Sequence, residues 1–447
     1  MTNTPKKELV DKWLVEPINT FISNSKTSGI VLFCTAFIAM IWANSPWAHE
    51  YHHLWEHSFS IGVDGNMITK DLHHWINDGL MAVFFFVVGL ELKREILFGQ
   101  LKDLKQAFLP IAAAIGGMLF PALLYLAFNP SGYQAKGWGV PMATDIAFAL
   151  GILYLLGDKV PVTLKVFLTA IAIVDDLGAV LVIALFYTSH IDYMSLFTGL
   201  GFMVVLVAAN LIGVRNTIFY GIIGIGGVWL AFLLSGVHAT IAAVLAAFAI
   251  PASTNINEGY FSSKLKHLYN QFINAKPNQN ALVTHEQQEI LEKIKYLSKN
   301  AIPPLQRLEH NLHPLVAFVI MPIFALSNAG VTISGDIKSV LTSNVTKGIA
   351  VGLIVGKLIG IAGATWLLVK LKWAQLPQGL TMQHIIATGF LGAIGFTMSL
   401  FIAGLAFNDA DTVMQAKVGV LFASILASLI GYFWLLRLVR KKVNDVI

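Results

Sequence analysis

The chain has 447 residues, 56% hydrophobic and 12% charged, with a formal net charge of +5 and a mean hydropathy of +0.69. Soluble domains carry about 25% charged residues, so an ordinary water-soluble globule is excluded and lipid is the expected solvent. Most of the basic excess lies between apolar runs and is not interleaved with aromatics, so no nucleic-acid partner is expected.

Residues 1–27 contain Lys6, Lys7, Glu8, Asp11, Lys12 and Glu16, with no short apolar core ahead of a cleavage site. They read as a cytoplasmic N-terminal segment and not as a cleaved leader. Within it, Leu9, Trp13, Leu14, Ile18 and Phe21 give 8–22 the pattern of an interfacial helix, which Pro17 shortens. Cys34 is the one cysteine, which rules out an intramolecular disulfide or a Cys-rich metal centre.

Apolar runs able to cross a bilayer occur at 28–43, 72–92, 107–128, 138–156, 161–187, 193–212, 217–232 and 236–250, then at 314–333, 346–369, 383–407 and 413–436. The expected fold is an all-α polytopic membrane protein of about twelve transmembrane helices. Eight spans fill 28–250, a cytoplasmic loop covers 251–313, four spans fill 314–436, and 437–447 is a cytoplasmic tail. With both termini inside, the inner segments hold 24 of the 30 Lys and Arg and the outer segments 5, Lys357 lying within a span. Setting aside the seven in the long loop leaves 17 against 5, as the positive-inside rule requires.

Two segments outside the spans have patterns of their own. Segment 58–70 (SFSIGVDGNMITK) alternates apolar and polar residues around Asp64-Gly65, which predicts a small outer β-hairpin. A two-stranded ribbon is marginal alone, so it is expected to pair with something, a second subunit being one option. Thr284 and Gln287 form a capping-box signal ahead of Ile290, Leu291, Ile294 and Leu297, predicting a helix at 285–299; 274–280 reads as loop.

The sharpest chemical signal is Asp175-Asp176 in LTAIAIVDDLGAVLVIALFY, with Lys165 ten positions before and Tyr187 eleven after. At about 1.5 Å per residue the pair sits near the centre of a core roughly 30 Å thick. Each Asp there costs about 2.5–3.5 kcal/mol on insertion scales. Structural hydrogen bonding is the bland reading; an ion or proton pathway is the default one for acids at this depth. Carboxylate oxygens suit hard cations such as Na⁺ and Li⁺, and the same group can instead take a proton. Competition between the two at one site, with alternating exposure, is sufficient for exchange.

Other spans carry related signals. Pro141, Thr144 and Asp145 in WGVPMATDIAFALGILYLL predict a helix that breaks and restarts with Thr144 or Asp145 as its cap. Irregular backbone at membrane depth must be buried in protein or line a cavity, which favours a site over a cap alone. Gly389, Gly392 and Gly395 mark either a second break or a close-packed face. Spans three to five and ten to twelve would then each have an interrupted helix in the middle, the pattern of inverted-topology repeats. Lys357, about eleven residues from either end of its span, needs a carboxylate partner, for which a buried Asp is the natural candidate. His238 in SGVHATIAAV reads first as a polar helix-start residue. Glu91, Lys93, Arg94 and Glu95, with Asp78 earlier in the same span, read first as a solvated, salt-bridged helix end.

INDGLMAVFFFVVGLELKRE (76–95), MATDIAFALGIL (142–153), TAIAIVDDLGAVLVIALFYT (169–188), SGVHAT (235–240), RLEHNLHP (307–314) and GAIGFTMSLFIAGLAF (392–407) resemble motifs of the NhaA family of bacterial sodium/proton antiporters. The resemblance covers nearly all of 27–440. It implies a multi-pass protein of the bacterial inner membrane, without cofactor and not an enzyme, that expels Na⁺ or Li⁺ in electrogenic exchange for protons. By position, Asp175 and Asp176 resemble the family's cation and proton carboxylates. Thr144 and Asp145 resemble its interrupted-helix residues, and Lys357 the lysine paired with the first Asp. Glu91, Arg94, Glu95, Glu309 and His310 resemble a cytoplasmic cluster tied to pH activation, and His238 resembles the histidine of the family's SGVHAT motif, also tied to pH response. The outer hairpin resembles a homodimer contact. Two departures are visible: the loop 252–306 is longer than usual for the family, and Leu358 follows Lys357 where proline is expected.

Another monovalent cation/proton exchanger or a cation channel would use similar membrane physics. A channel, however, has no need of a buried Lys beside an Asp pair or of two broken helices. An intramembrane aspartyl protease would need Asp residues on facing helices and a Gly-x-Gly-Asp motif, which this sequence lacks. A scaffold would not require midplane acids.

Overall fold

The computed structural model describes residues 25–63, 66–188, 191–254, 256–275, 282–332 and 337–444. The expected interfacial helix at 8–22, the Asp64-Gly65 turn and most of 274–280 lie outside them.

The chain enters through α1 (Ser25–Ala43) and turns by 112° into the short α2 (Ala48–Glu56). Strands β1 (Ser58–Val63) and β2 (Asn66–Asp71) follow, antiparallel with Ser58 opposite Asp71 and Val63 opposite Asn66, as the alternation at 58–70 predicts. A turn of α-helix and a π-helical turn from Leu72 lead into α3 (Met81–Phe98). Next come α4 (Leu104–Phe128), a 3₁₀ segment (Tyr133–Met142), α5 (Ile146–Leu155), α6 (Val162–Phe186), α7 (Tyr193–Ile212), α8 (Thr217–Ser235) and α9 (Ala239–Ala249).

Polar caps start many of these helices, satisfying amides that have no intrahelical partner. The Asp103, Asp192 and Asn216 side chains accept backbone N–H bonds at the heads of α4, α7 and α8. The polar stretch after α9 folds into a pair of helices, α10 (Glu258–Asn274) and α11 (His285–Ala301). The capping box read from Thr284 and Gln287 is formed in both directions. Leu268, Ala275, Ile290 and Leu297 make a small core between the two helices. The stretch is closed at its base, where Leu305 N donates to Pro251 O at 3.1 Å.

The next helix, α12 (Pro304–Asn328), begins ten residues before the apolar run expected at 314. Pro303 caps it and Pro304 pre-sets its first turn, so Glu309 and His310 stand on a helix and not in a loop. It is followed by α13 (Asn344–Lys370), α14 (Met382–Gly392), α15 (Phe396–Ala406) and α16 (Ala410–Asn444).

Among the described residues, eight helices are long and apolar enough to cross a membrane, or ten if each of two bent pairs counts as one span. The 11-residue α9, at about 1.5 Å per residue, covers roughly half of a hydrocarbon core. Leu185, Phe197, Leu211 and Ile212 lie on the exterior, where only lipid removes the cost of displaying them. The interior is one large apolar core with a second cluster, centred on Leu90, Leu206, Phe232 and Ala246, under α7, α8 and α9.

Candidate ion site at a crossing of broken helices

Both weak segments read from the sequence are breaks. The 3₁₀ helix containing Pro141 ends at Met142, Ala143 is extended, and Asp145 caps α5 by accepting from Phe148 N at 2.9 Å. Between α14 and α15, residues 393–395 interrupt the helix and the axis bends by 46°. The breaks meet each other. Asp145 N donates to Ile394 O at 2.7 Å and Thr144 Oγ1 to Gly392 O at 2.7 Å. Asp145 Oδ2 accepts from Thr397 N at 3.1 Å and from Thr397 Oγ1 at 2.5 Å.

One carboxylate therefore serves the first turns of two helices, where amides are unpaired and the helix dipole is positive. The bland reading of Asp145 as a cap is correct as far as it goes, but the cap sits inside the protein and holds two interrupted spans together. Thr397, which the sequence reading did not single out, supplies half of that link. Its signal was available: a hydroxyl two residues after Gly395, the last glycine of a suspected break.

The other charges surround this crossing. Asp175 and Asp176 lie near the middle of the 25-residue α6. Lys357 comes from α13, where π-helical turns at Gly352–Gly356 and Ile359–Gly363 flank it. Such turns replace the straight ladder where a proline was expected, and they re-aim side chains. α13 reaches the crossing by close backbone approach: a Cβ on Gly356 would lie 2.7 Å from Pro121 Cα of α4. Lys357 is fully buried, and Thr144, Asp145, Asp175 and Asp176 each expose 1%.

The Lys357 Nζ donates to Asp175 Oδ2 and to Thr144 Oγ1, the latter at 2.9 Å. The lysine thus chooses the first acid of the pair. Asp176 is left differently placed: neither of its oxygens, nor Asp175 Oδ1, has a hydrogen-bond partner among the described residues, although all three are buried. Buried polar atoms are almost always paired, and an unpaired ionised carboxylate in a low-dielectric interior is very costly. These oxygens call for a proton or a cation.

The residues read as a pH-response group separate into two places. Arg94 of α3 bonds Glu309 of α12 through Nη1 at 2.5 Å and Glu95 through Nη2 at 3.2 Å. Glu91 stands one turn earlier on α3, and His310 is exposed beside Glu309. Lys93 caps the end of α9 through Phe248 O and Ile250 O, at 2.6 and 2.5 Å. His238 begins α9 at its other end, its ring Nε2 3.1 Å from Tyr187 O at the end of α6. It does not join the Arg94 cluster.

Apolar spans, two broken helices in contact and charges buried at their crossing define an integral membrane protein of the ion-coupled transporter class. Sequence comparison narrows this. The model of the family described as Na⁺/H⁺ antiporter 1 matches residues 19–435, and the chain belongs to that family. It is similar to the Na(+)/H(+) antiporter NhaA of Oleidesulfovibrio alaskensis, 48% identical over 97% of this chain and 96% of that protein. It is also similar to the protein of the same name from Acidithiobacillus ferrooxidans, 46% identical over 96% and 99%. The Na(+)/H(+) antiporter NhaA 1 of Saccharophagus degradans is 44% identical over 98% and 95%.

Proposed function

We propose that this chain exchanges Na⁺, or Li⁺, for protons across the bacterial inner membrane, the two ions competing for Asp175 and Asp176. The observation that carries the mechanism is the pair of unpartnered Asp176 oxygens beside a lysine-bonded Asp175. A Na⁺ ion wants several oxygen ligands; Asp176, Asp175 Oδ1 and the backbone at the breaks are nearby sources. A cation arriving there displaces the proton on Asp176 and draws Asp175 away from Lys357, whose ammonium, left without its carboxylate, gives up a second proton. When both protons return the cation leaves and the Lys357–Asp175 bond re-forms, so one cation is exchanged for two protons. The ligand set thus makes the two occupancies exclusive. Asp145, Thr144 and Thr397 act by holding the breaks in register.

In this reading the chain spans the membrane twelve times with both termini in the cytoplasm. The broken span 382–406, the helix through Leu72–Phe98, α1 and the short α9 bring the eight long helices to twelve. α4, the broken span 133–155 and α6 form one repeat, and α13, the broken span 382–406 and α16 its inverted counterpart. Each has an interruption in its middle member, as transporter repeats do. The domain limits follow: 1–27, 28–250, 251–313, 314–436 and 437–447. The Arg94–Glu309 cluster, with Glu91, Glu95, His310 and separately His238, sets the response to pH, and the outer hairpin joins two copies.

The test is purified protein in vesicles, with proton movement followed on adding Na⁺, Li⁺, K⁺ or Ca²⁺ over a range of pH. Na⁺ and Li⁺ should drive saturable, electrogenic proton counter-flow. Flux of the cation without proton movement would establish a channel instead, and equal rates with K⁺ would refute the assigned cation.

A further inference from the structure

Six of the chain's 13 histidines fall between 49 and 74, at α2 and the root of the β-hairpin. Nothing in the exchange reading uses them. Three are engaged: His52 bonds Thr332 at 2.6 Å, His73 bonds Asn328 at 3.2 Å, and His74 Nδ1 lies 2.6 Å from Asp71 Oδ1. Partial burial pushes the Asp71 carboxyl up, but the His74 amide and ring bonds outweigh it and hold the group below its usual value. The other three, His49, His53 and His57, stand one helical turn apart on one exposed face.

We propose that His53 and His57 form a binding site for a borderline divalent cation of the Zn²⁺ or Ni²⁺ type, with His49 next in line. Residues at i and i+4 on a helix face one another, and imidazole suits these metals. Two imidazoles on one ion, with bonds of about 2.0–2.1 Å at a roughly tetrahedral or right angle, hold their ring centroids about 4.5–5 Å apart. The His53 and His57 centroids are 4.6 Å apart, and those of His49 and His53 6.0 Å. Among the described residues no three His, Cys, Asp or Glu side chains converge on one point. The site is therefore a two-imidazole chelate completed by water, with Glu50 and Glu56 exposed on the same helix adding negative field.

His57 also ends α2 and begins the hairpin: its carbonyl accepts Leu72 N at 2.9 Å, beside the Ser58–Asp71 pair. An ion between His53 and His57 would tie helix to ribbon and fix the angle at which the ribbon leaves the protein.

The experiment uses full-length protein purified on a histidine-free tag, with Zn²⁺ titrated against a chromophoric chelator. One Zn²⁺ per chain should be taken up and released as pH falls, because protons compete for imidazole. Even outer-shell partners of a metal ligand are worth about 10–100-fold in affinity, so His53→Gln or His57→Gln should weaken uptake by at least about tenfold. His52→Gln should leave it unchanged, and Ca²⁺, which prefers oxygen, should not compete. No uptake, or uptake that survives both His53→Gln and His57→Gln, overturns the assignment.

Discussion

Two of the places where this molecule pairs a basic side chain with a carboxylate follow different physics. At the crossing, Lys357 meets Asp175 with exposures of 0% and 1%, and the carboxylate of the next acid along has no hydrogen-bond partner among the described residues. At the end of α3, Arg94 meets Glu309 with exposures of 43% and 11% and also bonds Glu95. Water reaches the half-exposed Arg94, although Glu309 is buried and keeps one oxygen without a hydrogen-bond partner among the described residues, so the second pair is screened from one side and is the more weakly coupled of the two. Nothing screens the first, so removing one member leaves a charge that the interior cannot tolerate. The contrast teaches where a membrane protein can place strong and weak coupling; in the proposed reading the strong pair at depth serves the transported ions and the weaker one near water serves regulation.

The comparison breaks first at the acids. Asp175→Asn and Asp176→Asn should each reduce Na⁺-driven proton movement in vesicles to that of empty vesicles while the protein still inserts. Normal exchange in either would remove that acid from the mechanism. Lys357→Met should come next, because breaking a buried pair costs about 3–5 kcal/mol. Thermal unfolding in detergent should show a large loss, and Asp175→Asn in the same chain should recover part of it. Simple additivity of the two losses would mean that the pair is not coupled.

A smaller effect is expected from Thr397→Val, which deletes the hydroxyl bond to Asp145 but keeps the backbone one. A hydrogen bond to a charged group is worth about 1.5–3 kcal/mol, so stability should fall by that order and the exchange rate with it. An unchanged melting temperature would show that the breaks are held by packing alone. The smallest effect should belong to Arg94→Gln. With a worth of about 0–1 kcal/mol for such a partly exposed pair, stability should barely move, whereas the pH profile of exchange should shift. A loss of stability as large as that of Lys357→Met would erase the distinction between the two pairs.

Part of this was legible in the sequence because it depends on neighbours along the chain. The capping box at Thr284, the hairpin alternation at 58–70 and the break at Pro141–Asp145 are short-range effects of proline, cap side chains and period-two patterning. The depth of Asp175 and Asp176 followed from counting residues along one helix. α12 was read late because its first turns are polar and amphipathic, so hydropathy alone does not mark where its backbone becomes helical.

What the sequence determined by itself is the class of solvent, the apolar spans, the weak points in two of them and the presence of acids where water is absent. These follow from composition and local period, which any stretch of chain carries within itself. Only the tertiary structure decided that Asp145 reaches Thr397 across 252 positions and that His238 stands apart from Arg94. Those outcomes depend on which helices lie against one another and at what height. That is a property of packed surfaces far apart in the chain, and no local pattern encodes it.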